Sequence, residues 1–507
     1  MDSLRPRLAR GSAWLTVSRT CVNILQAIST LALARLLLPT DVGVVMVALT
    51  MLSILTALTN LSLGSALVQH RNPTDDHVNT VWTLGVARGI TLAAVFALAA
   101  IPASIIYADP RLPMVMLALS LGVVISGLSN PRLSLLTREL LYGRQVLIQV
   151  AGKATSVGVS LTIAIVYKSY WALVLGGLAG QSLTVVLSYA MLRYRPRLSL
   201  HHLRELFAFS GWLTLAQLVT TINWSLDHLL VGAWLGSAAM AYYGVGNMIA
   251  LIPTREAIAP LTGALFPAFS AIADNRARLQ KAYQAVQSFA VAVTLPCGVG
   301  TALVAEPLVR LFLGEQWLDS ILVIQVLASI FAIQTIGTAA ESIAMATGHT
   351  KFLFRRDLQA AAIRMPAIAA GLFLYGIPGL LAARVCTGLL LIPLNLDVIR
   401  KTTGLGFLTE LGPNLRSLAA VAIMAAAVWS ADRMLSLPLD IPGQAARLAG
   451  LVAVGAVTYS AAHWLIWRAI GRPEGPEGEV LRAVALFRRT TGVYWRKWFS
   501  GVARKSS

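Results

Sequence analysis

The chain has 507 residues, of which 57% are hydrophobic and 12% charged, and its mean hydropathy is +0.71. A soluble domain carries about 25% charged residues, so this composition excludes a soluble globular protein. The formal charge of +19 does not indicate a nucleic-acid-binding protein, because the basic residues lie mainly in short segments between apolar runs.

The apolar runs recur along most of the chain, and each is long enough to cross about 30 Å of hydrocarbon as a helix. We predict fourteen spans, at residues 11–38, 42–66, 80–107, 112–136, 145–167, 170–192, 206–233, 241–271, 282–305, 320–346, 358–375, 377–399, 414–432 and 445–467. The predicted fold class is therefore an all-α polytopic membrane protein.

The basic residues also predict the orientation of the spans. Most of the 41 Lys and Arg residues lie at the two ends of the chain and in the even-numbered loops. The odd-numbered loops hold only Arg35, Arg111, Lys168, Arg310, Arg433 and Arg447. Because cytoplasmic loops carry the excess of positive charge, we predict that both termini are cytoplasmic.

The second half of the chain repeats features of the first. LARLLLPTDVGVV, from residue 33, is similar to LVGAWLGSAAMAYY, from residue 230, at an offset of six spans. A repeat of six spans predicts two lobes of the same orientation and indicates a transporter. We expect an N-terminal lobe at 1–200, a C-terminal lobe at 201–405, two further helices at 406–470 and a basic tail at 471–507. The tail is either an amphipathic segment that lies on anionic lipid or a basic segment whose positive charge only reflects its cytoplasmic position.

Polar residues form stripes at helical spacing on several spans. The stripes comprise Arg19, Asn23, Gln26 and Thr30; Gln149, Lys153, Ser156 and Ser160; Thr220, Asn223 and Asp227; and Gln334, Thr338 and Glu341. An intramembrane charge that faced lipid would cost about 3 kcal/mol. The stripes therefore predict a hydrated cleft between the lobes, with helix–helix hydrogen bonding as the alternative for the uncharged residues.

Three residues need separate interpretations. Arg35 lies at the end of its span, where snorkelling to the interface and ligand binding both fit. Asp227 and Glu341 are acids deep enough to couple transport to protons or Na⁺, and an ion pair with a nearby arginine is the alternative for each. The sequence leaves all of these open.

No motif indicates an enzyme. The chain has no HExxH, P-loop or nucleophile elbow, and its external loops are short, which disfavours a polysaccharide polymerase or a glycosyltransferase. The triplet DDH at 75–77 fits a helix cap better than a metal site, and the three cysteines have no metal-ligand spacing. We therefore expect no metal and no cofactor.

Several stretches resemble the bacterial oligosaccharide flippases that export O-antigen and exopolysaccharide repeat units, within the multidrug/oligosaccharidyl-lipid/polysaccharide flippase superfamily. They include LARLLLPTDVGVVMVALT, WTLGVARGI, YADPRLPMVMLALSLGVVISGLSNPRLSLLTRELLYGRQ and LPCGVGTALVAEPLVRLFLGEQW. The resemblance implies two six-helix lobes in a V around a central cleft, two extra helices, alternating access and a bacterial inner-membrane location. It also implies a polyprenyl-diphosphate-linked oligosaccharide as substrate and a polysaccharide polymerase or export complex as partner.

That substrate fits the polar residues of the spans. A diphosphate binds cations, and sugars bind amides and hydroxyls. We expect the substrate to contact residues in both lobes, namely Arg19, Asn23, Gln149, Lys153, Arg255 and Arg364. The alternatives are a multidrug exporter, which the excess of buried cations over buried acids disfavours, a membrane polymerase or glycosyltransferase, and a scaffold that transports nothing.

Overall fold

The computed structural model describes residues 4–59, 67, 73–138, 142–201, 203–434, 438 and 440–472. Regular structure within these ranges is helical. The α-helices are α1 Leu4–Leu36, α2 Pro39–Leu58, α3 Asp75–Leu98, α4 Ala100–Tyr107, α5 Leu112–Gly127, α6 Arg132–Arg138, α7 Tyr142–Tyr167, α8 Trp171–Met191, α9 Leu203–Ser270, α10 Arg276–Leu303, α11 Ala305–Leu308, α12 Ser320–Gln334, α13 Ala340–Ala346, α14 Thr350–Thr403, α15 Phe407–Met434 and α16 Ile441–Ala469. A π-helical turn, Val309–Leu313, and a 3₁₀ turn, Glu315–Trp317, follow α11.

The described helices are those of a polytopic membrane protein. Nine of them are long and apolar enough to cross a membrane, and three further apolar helical segments, Thr20–Leu36, Leu112–Gly127 and Ser320–Gln334, are shorter. Two of the longest, α9 and α14, break at Gly236 and Gly376, whose φ angles of 85° and 64° fall in the region that favours glycine. The predicted fold class is confirmed, whereas the count of fourteen spans stays a prediction.

Local sequence explains where several helices begin. Thr74 precedes α3, and its hydroxyl lies 2.7 Å from Nδ1 of His77, so the DDH triplet opens a capped helix as predicted. Asn130 accepts the backbone N–H of Arg132 at 3.0 Å and thereby starts α6. Asp440 accepts the N–H of Gly443 at 3.1 Å at the start of α16.

Contacts divide the chain into two compact units. Unit 1 comprises Met1–Gly246, Val309–Ser320 and Met365–Leu380, and unit 2 comprises Asn247–Leu308, Ile321–Arg364 and Leu381–Ser507. Buried side chains of α2, α3, α4, α5 and α8 form a core in unit 1. In unit 2, α10 and α15 share one core with α12 and α16, and α10 shares another with α13 and α14. The predicted lobe boundaries stay predictions.

Small residues let neighbouring helices of unit 1 pack closely. A Cβ on Gly127 of α5 would lie 2.6 Å from the carbonyl oxygen of Gly85 on α3, and a Cβ on Gly180 of α8 would lie 2.6 Å from the carbonyl oxygen of Gly152 on α7. Membrane helices gain packing and hydrogen bonds, but no hydrophobic effect, from each other, so close backbone approach stabilises the pair. This packing fixes α7, which carries Lys153, against α8.

A charged network joins the loop before α5 to the start of α2. Arg111 donates to Asp41 at 2.7 Å and to Asp109 at 2.9 Å. Burial alone would raise the pKa of Asp109, but the hydrogen bonds and charge of Arg111 outweigh it and hold that pKa below its ordinary value. The PTD and YADPR motifs therefore supply a structural ion-pair network in unit 1.

Candidate functional site

The best-defined candidate site in unit 1 surrounds Lys153, halfway along α7. The ammonium of Lys153 donates to Oε1 of Gln26 on α1. Gln26 in turn donates from Nε2 to the hydroxyl of Thr30 at 3.1 Å. The lysine is half-buried, and Gln26 is exposed. A cation, an amide and a hydroxyl thus form one chain of hydrogen bonds across two predicted spans.

The helical stripes explain this grouping. Asn23, Gln26 and Thr30 follow each other at helical spacing along α1, and Gln149 precedes Lys153 by one turn of α7. The side chains of Asn23 and Gln149 are exposed. Arg19 lies on α1, but its side chain is outside the described part of the chain. The sequence predicts Lys153 as a substrate-binding residue but does not indicate that Gln26 is the partner of that cation.

Other cations in or near the spans have structural partners. Arg88 on α3 donates to Thr59 Oγ1 and to the carbonyl of Thr56, each at 3.0 Å. Arg132 pairs with Asp75 at 2.8 Å. Arg384 is 5% exposed and stacks over Phe331, 5.4 Å from the ring centroid. These arginines are therefore less suited to hold a ligand than Lys153.

Unit 2 holds three of the predicted site residues. Arg364, on α14, is half-buried, and Arg255, on the second part of α9, is exposed. Glu341 is exposed at the start of α13.

Asp227 lies in a buried network in unit 1. It is 1% exposed, and its Oδ2 accepts the hydroxyl of Tyr243 at 2.7 Å. Its Oδ1 accepts the backbone N–H of His228 at 3.1 Å and lies 3.1 Å from Nδ1 of that imidazole. The His228 and Tyr243 rings also meet edge to face, 5.1 Å apart. The sequence pattern identified Asp227 as a candidate but contained no signal for Tyr243.

The end of α1 is capped by Val309–Trp317, which we call the α1 cap. Gln316 Nε2 donates to the carbonyl of Ala34 at 2.6 Å, and Trp317 Nε1 donates to the same oxygen at 2.7 Å. Arg35 donates in the opposite direction, to the carbonyls of Leu311 and Phe312. The last carbonyls of a helix have no partner within it, so the cap satisfies groups that water would otherwise bind. Arg35 is therefore held by protein carbonyls, which neither sequence interpretation anticipated.

The site is suited to binding rather than to covalent chemistry. A lysine ammonium binds phosphate as a point charge, and neighbouring amides and hydroxyls bind sugars. Within the described residues, His, Cys, Asp and Glu form no group that could hold a metal ion. The arrangement around Lys153 can therefore hold an anionic, hydroxyl-rich headgroup.

The chain is similar in sequence to known proteins of polysaccharide biosynthesis. A sequence profile described as polysaccharide biosynthesis protein matches residues 32–322. The chain is 24% identical to the lipopolysaccharide biosynthesis protein WzxC of Escherichia coli K12, across 73% of this chain and 76% of that protein. It is 23% identical to the succinoglycan biosynthesis transport protein ExoT of Rhizobium meliloti 1021, across 61% of this chain and 63% of that protein.

The fold is similar to that of a solved transporter. The lipid II flippase MurJ, in an inward closed conformation, superimposes with a TM-score of 0.67 over 90% of this chain and 99% of that one, at 13% identity. At this identity the likeness shows the fold alone. It is the fold of a helical membrane transporter.

Proposed function

The chain belongs to the polysaccharide biosynthesis protein family, and from this premise we propose that it is a flippase for polyprenyl-diphosphate-linked oligosaccharide repeat units. The repeat unit crosses the bilayer by alternating access, and no covalent bond changes. The relatives carry names of lipopolysaccharide biosynthesis and succinoglycan transport, and the fold is that of a lipid II flippase. The product of the pathway is accordingly an exopolysaccharide, O-antigen or capsule.

The hydrogen bond between Lys153 and Gln26 is the observation that carries the proposal. A half-buried cation within a span is costly, so a site that keeps one there has a use for it. The diphosphate would bind Lys153, with Arg19, Arg255 and Arg364 as further cations. Asn23 and Gln149 would bind the sugars, and the lipid tail would stay in the bilayer.

The family suggests the cellular setting. We place the protein in the bacterial inner membrane with both termini cytoplasmic, since the basic residues concentrate in the loops assigned to that side. The basic tail at 471–507, which lies outside the described residues from 473 onward, would contact anionic lipid. A polysaccharide polymerase or export complex would receive the flipped repeat unit.

During transport, the lobes at 1–200 and 201–405 would move relative to each other around the bound substrate.

Deletion of the gene tests the proposed function. We expect loss of surface polysaccharide and accumulation of lipid-linked repeat units, because the units are made on the cytoplasmic face and cannot leave it. Complementation with the wild-type chain should restore both. A deletion strain with normal polysaccharide but increased sensitivity to cationic drugs would instead favour a multidrug exporter.

The α1 cap provides a test of alternating access. In the proposed topology it closes the outer end of α1, so outward opening must break it. Trp317→Phe removes the N–H that donates to Ala34 and keeps most of the ring, and a lost hydrogen bond of about 1 kcal/mol shifts a two-state equilibrium about fivefold. We expect a cysteine introduced as Leu37→Cys to react several times faster with an impermeant maleimide added from outside.

The matched control for this test lies in the cap itself. The side chain of Glu315 is 87% exposed. Glu315→Gln therefore changes a residue of the α1 cap but removes no hydrogen bond between the cap and α1. Labelling should stay at the wild-type rate in that variant. Equal labelling in Trp317→Phe and Glu315→Gln would show that the cap does not gate access.

Asp227 and Glu341 are the proposed coupling residues, and Asp227 allows the clearer test. Asp227→Asn removes the charge from a network whose geometry the amide can partly keep. We expect polysaccharide export to lose its response to proton or sodium gradients. Tyr243→Phe, which retains the carboxylate, should keep that response. An Asp227→Asn variant with the wild-type gradient response would remove Asp227 from the coupling mechanism.

A further inference from the structure

Glu410 is a carboxyl buried in unit 2 for which the proposed mechanism has no use. It lies in the first turn of α15 and is 2% exposed. Among the described residues, neither of its carboxyl oxygens has a hydrogen-bond partner. Burying a lone ionised carboxylate costs several kcal/mol even after the protein relaxes, so this group needs an explanation.

Tyr283 and Asn414, two buried polar residues near Glu410, also have side-chain atoms without a hydrogen-bond partner among the described residues. Tyr283 of α10 is completely buried, and its hydroxyl has no partner within the part of the chain that the structure describes. Asn414, one turn further along α15 and 1% exposed, donates from Nδ2 to the carbonyl of Glu410 at 3.1 Å, while its Oδ1 has no partner. Phe407 and Leu411, on either side of Glu410 in α15, pack against the core that contains Tyr283, so the three polar side chains lie in one region. Three buried side chains thus leave four polar atoms unsatisfied.

A helix-capping role does not explain Glu410. An acidic residue in a first turn usually accepts backbone N–H groups or gains about 0.3–1 kcal/mol from the helix dipole. Here neither carboxyl oxygen accepts an N–H. The dipole term is also several times smaller than the cost of burying the charge, so the neutral form of the carboxyl is favoured.

An ion pair does not explain it either, because nearby charged groups are engaged elsewhere. Arg276 of α10 donates to the carbonyl of Thr403, His463 of α16 lies 3.1 Å from the hydroxyl of Ser417, and Arg400 and Lys401 of α14 pair with Asp397. Arg416 is six residues beyond Glu410 and so lies on a different face of α15.

We propose that Glu410, with Tyr283 and Asn414, is a buried proton-binding site at the start of α15. One proton on Glu410 removes the buried charge and supplies the donor that Oδ1 of Asn414 lacks. The carboxyl O–H can donate to Oδ1 of Asn414, and the other carboxyl oxygen can accept the hydroxyl of Tyr283. Loss of the proton leaves a buried charge with a single neutral donor beside it. The site therefore binds its proton at neutral pH and releases it only when α15 or α10 moves to admit water.

Infrared spectroscopy of the purified full-length protein in detergent tests this site. We expect the C=O stretching band of a protonated carboxylic acid at neutral pH, shifted to lower frequency in heavy water and lost in Glu410→Gln. Because glutamine can donate to Asn414 and accept from Tyr283 as the protonated acid does, Glu410→Gln should keep the wild-type melting temperature. Glu315→Gln, which changes an exposed acid, should leave the band intact.

Two results would overturn the proposal. A wild-type spectrum in which Glu410→Gln removes no protonated carboxyl band would show that the group is ionised. Loss of the band in sodium chloride, but not in choline chloride, together with a raised melting temperature, would identify a sodium site instead. Neither measurement depends on transport.

A role for this proton in transport rests additionally on the proposed flippase function. In reconstituted vesicles, Glu410→Gln should retain downhill movement of the lipid-linked oligosaccharide and lose its acceleration by a proton gradient. Acceleration equal to wild type would exclude coupling through Glu410 and leave the infrared result standing. Failure of the wild-type protein to move the lipid would count against the flippase function alone.

Discussion

Lys153→Gln is expected to lower the amount of surface polysaccharide by about tenfold to a hundredfold at matched expression. The ammonium is the cation of a hydrogen-bonded group with Gln26, and a charge-assisted bond to phosphate is worth about 1.5–3 kcal/mol. Arg364→Gln should add to the loss if both cations hold the diphosphate. The measurement is surface polysaccharide per cell, with protein level checked by immunoblot.

Two variants separate this effect from a general loss of charge. Lys168→Gln removes an exposed lysine just beyond the end of the same helix and should export normally. Lys153→Arg keeps the charge and should retain much of the activity. Full export by Lys153→Gln combined with Arg364→Gln would exclude both residues from the substrate site and would favour a scaffold.

Gly43→Ala should destabilise unit 1 by about 3 kcal/mol or more. A Cβ at Gly43 in α2 would lie 1.7 Å from the carbonyl oxygen of Ser237, which is backbone and cannot rotate away. The helices must therefore move apart, and this also disturbs the network of Asp41, Asp109 and Arg111, since Ser237 donates to Asp109 at 3.4 Å. We expect a lower melting temperature and reduced yield of the monodisperse protein.

The control is a glycine with room for a side chain. Gly158, on the exposed side of α7, has nothing within 4 Å of the position a Cβ would take. Alanine is favoured over glycine in helices by about 1 kcal/mol, so Gly158→Ala should keep or raise the melting temperature. The two substitutions thus have opposite expected signs. Equal melting temperatures would mean that α2 and Ser237 do not pack as described.

The helical fold was predictable from the sequence because long apolar runs indicate that the chain lies in a lipid bilayer. Every backbone polar group in a bilayer must be bonded internally, which leaves helices as the solution for such runs. Boundaries were less predictable. The predicted span at 112–136 is α5, Leu112–Gly127, followed after Asn130 by a separate α6. The predicted span at 80–107 begins earlier, at Asp75, because a capped polar turn extends α3.

The candidate site was predictable only in part. Helical spacing shows which residues share one face of a helix, but it does not show which other helix that face contacts. The stripe on α7 indicated that Lys153 faces polar groups, but the contact with Gln26 joins residues 127 positions apart. In the same way nothing local indicates that Arg384 stacks on Phe331 or that Arg35 binds the α1 cap. Such contacts depend on which helices pack together, and an apolar pattern does not encode this choice.

Glu410 shows a second limit of sequence reasoning. It lies four residues before the predicted span at 414–432, in LTELGPN, where a glycine and a proline suggest a loop. The helix instead begins at Phe407 and buries the carboxyl against α10. The feature of the sequence that could have indicated this burial is an acidic residue directly before a long apolar run.

Movement of the substrate by the purified protein tests the central claim most directly. Vesicles would contain the wild-type chain and a polyprenyl-diphosphate-linked oligosaccharide, and a membrane-impermeant glycosidase would report which sugars face outward. We predict that nearly all of the sugar becomes accessible with the wild-type chain, and that Lys153→Gln leaves about half protected, as in vesicles without protein. Equal protection with the wild-type chain and without protein, or equal release by the wild-type and Lys153→Gln chains, would contradict the account.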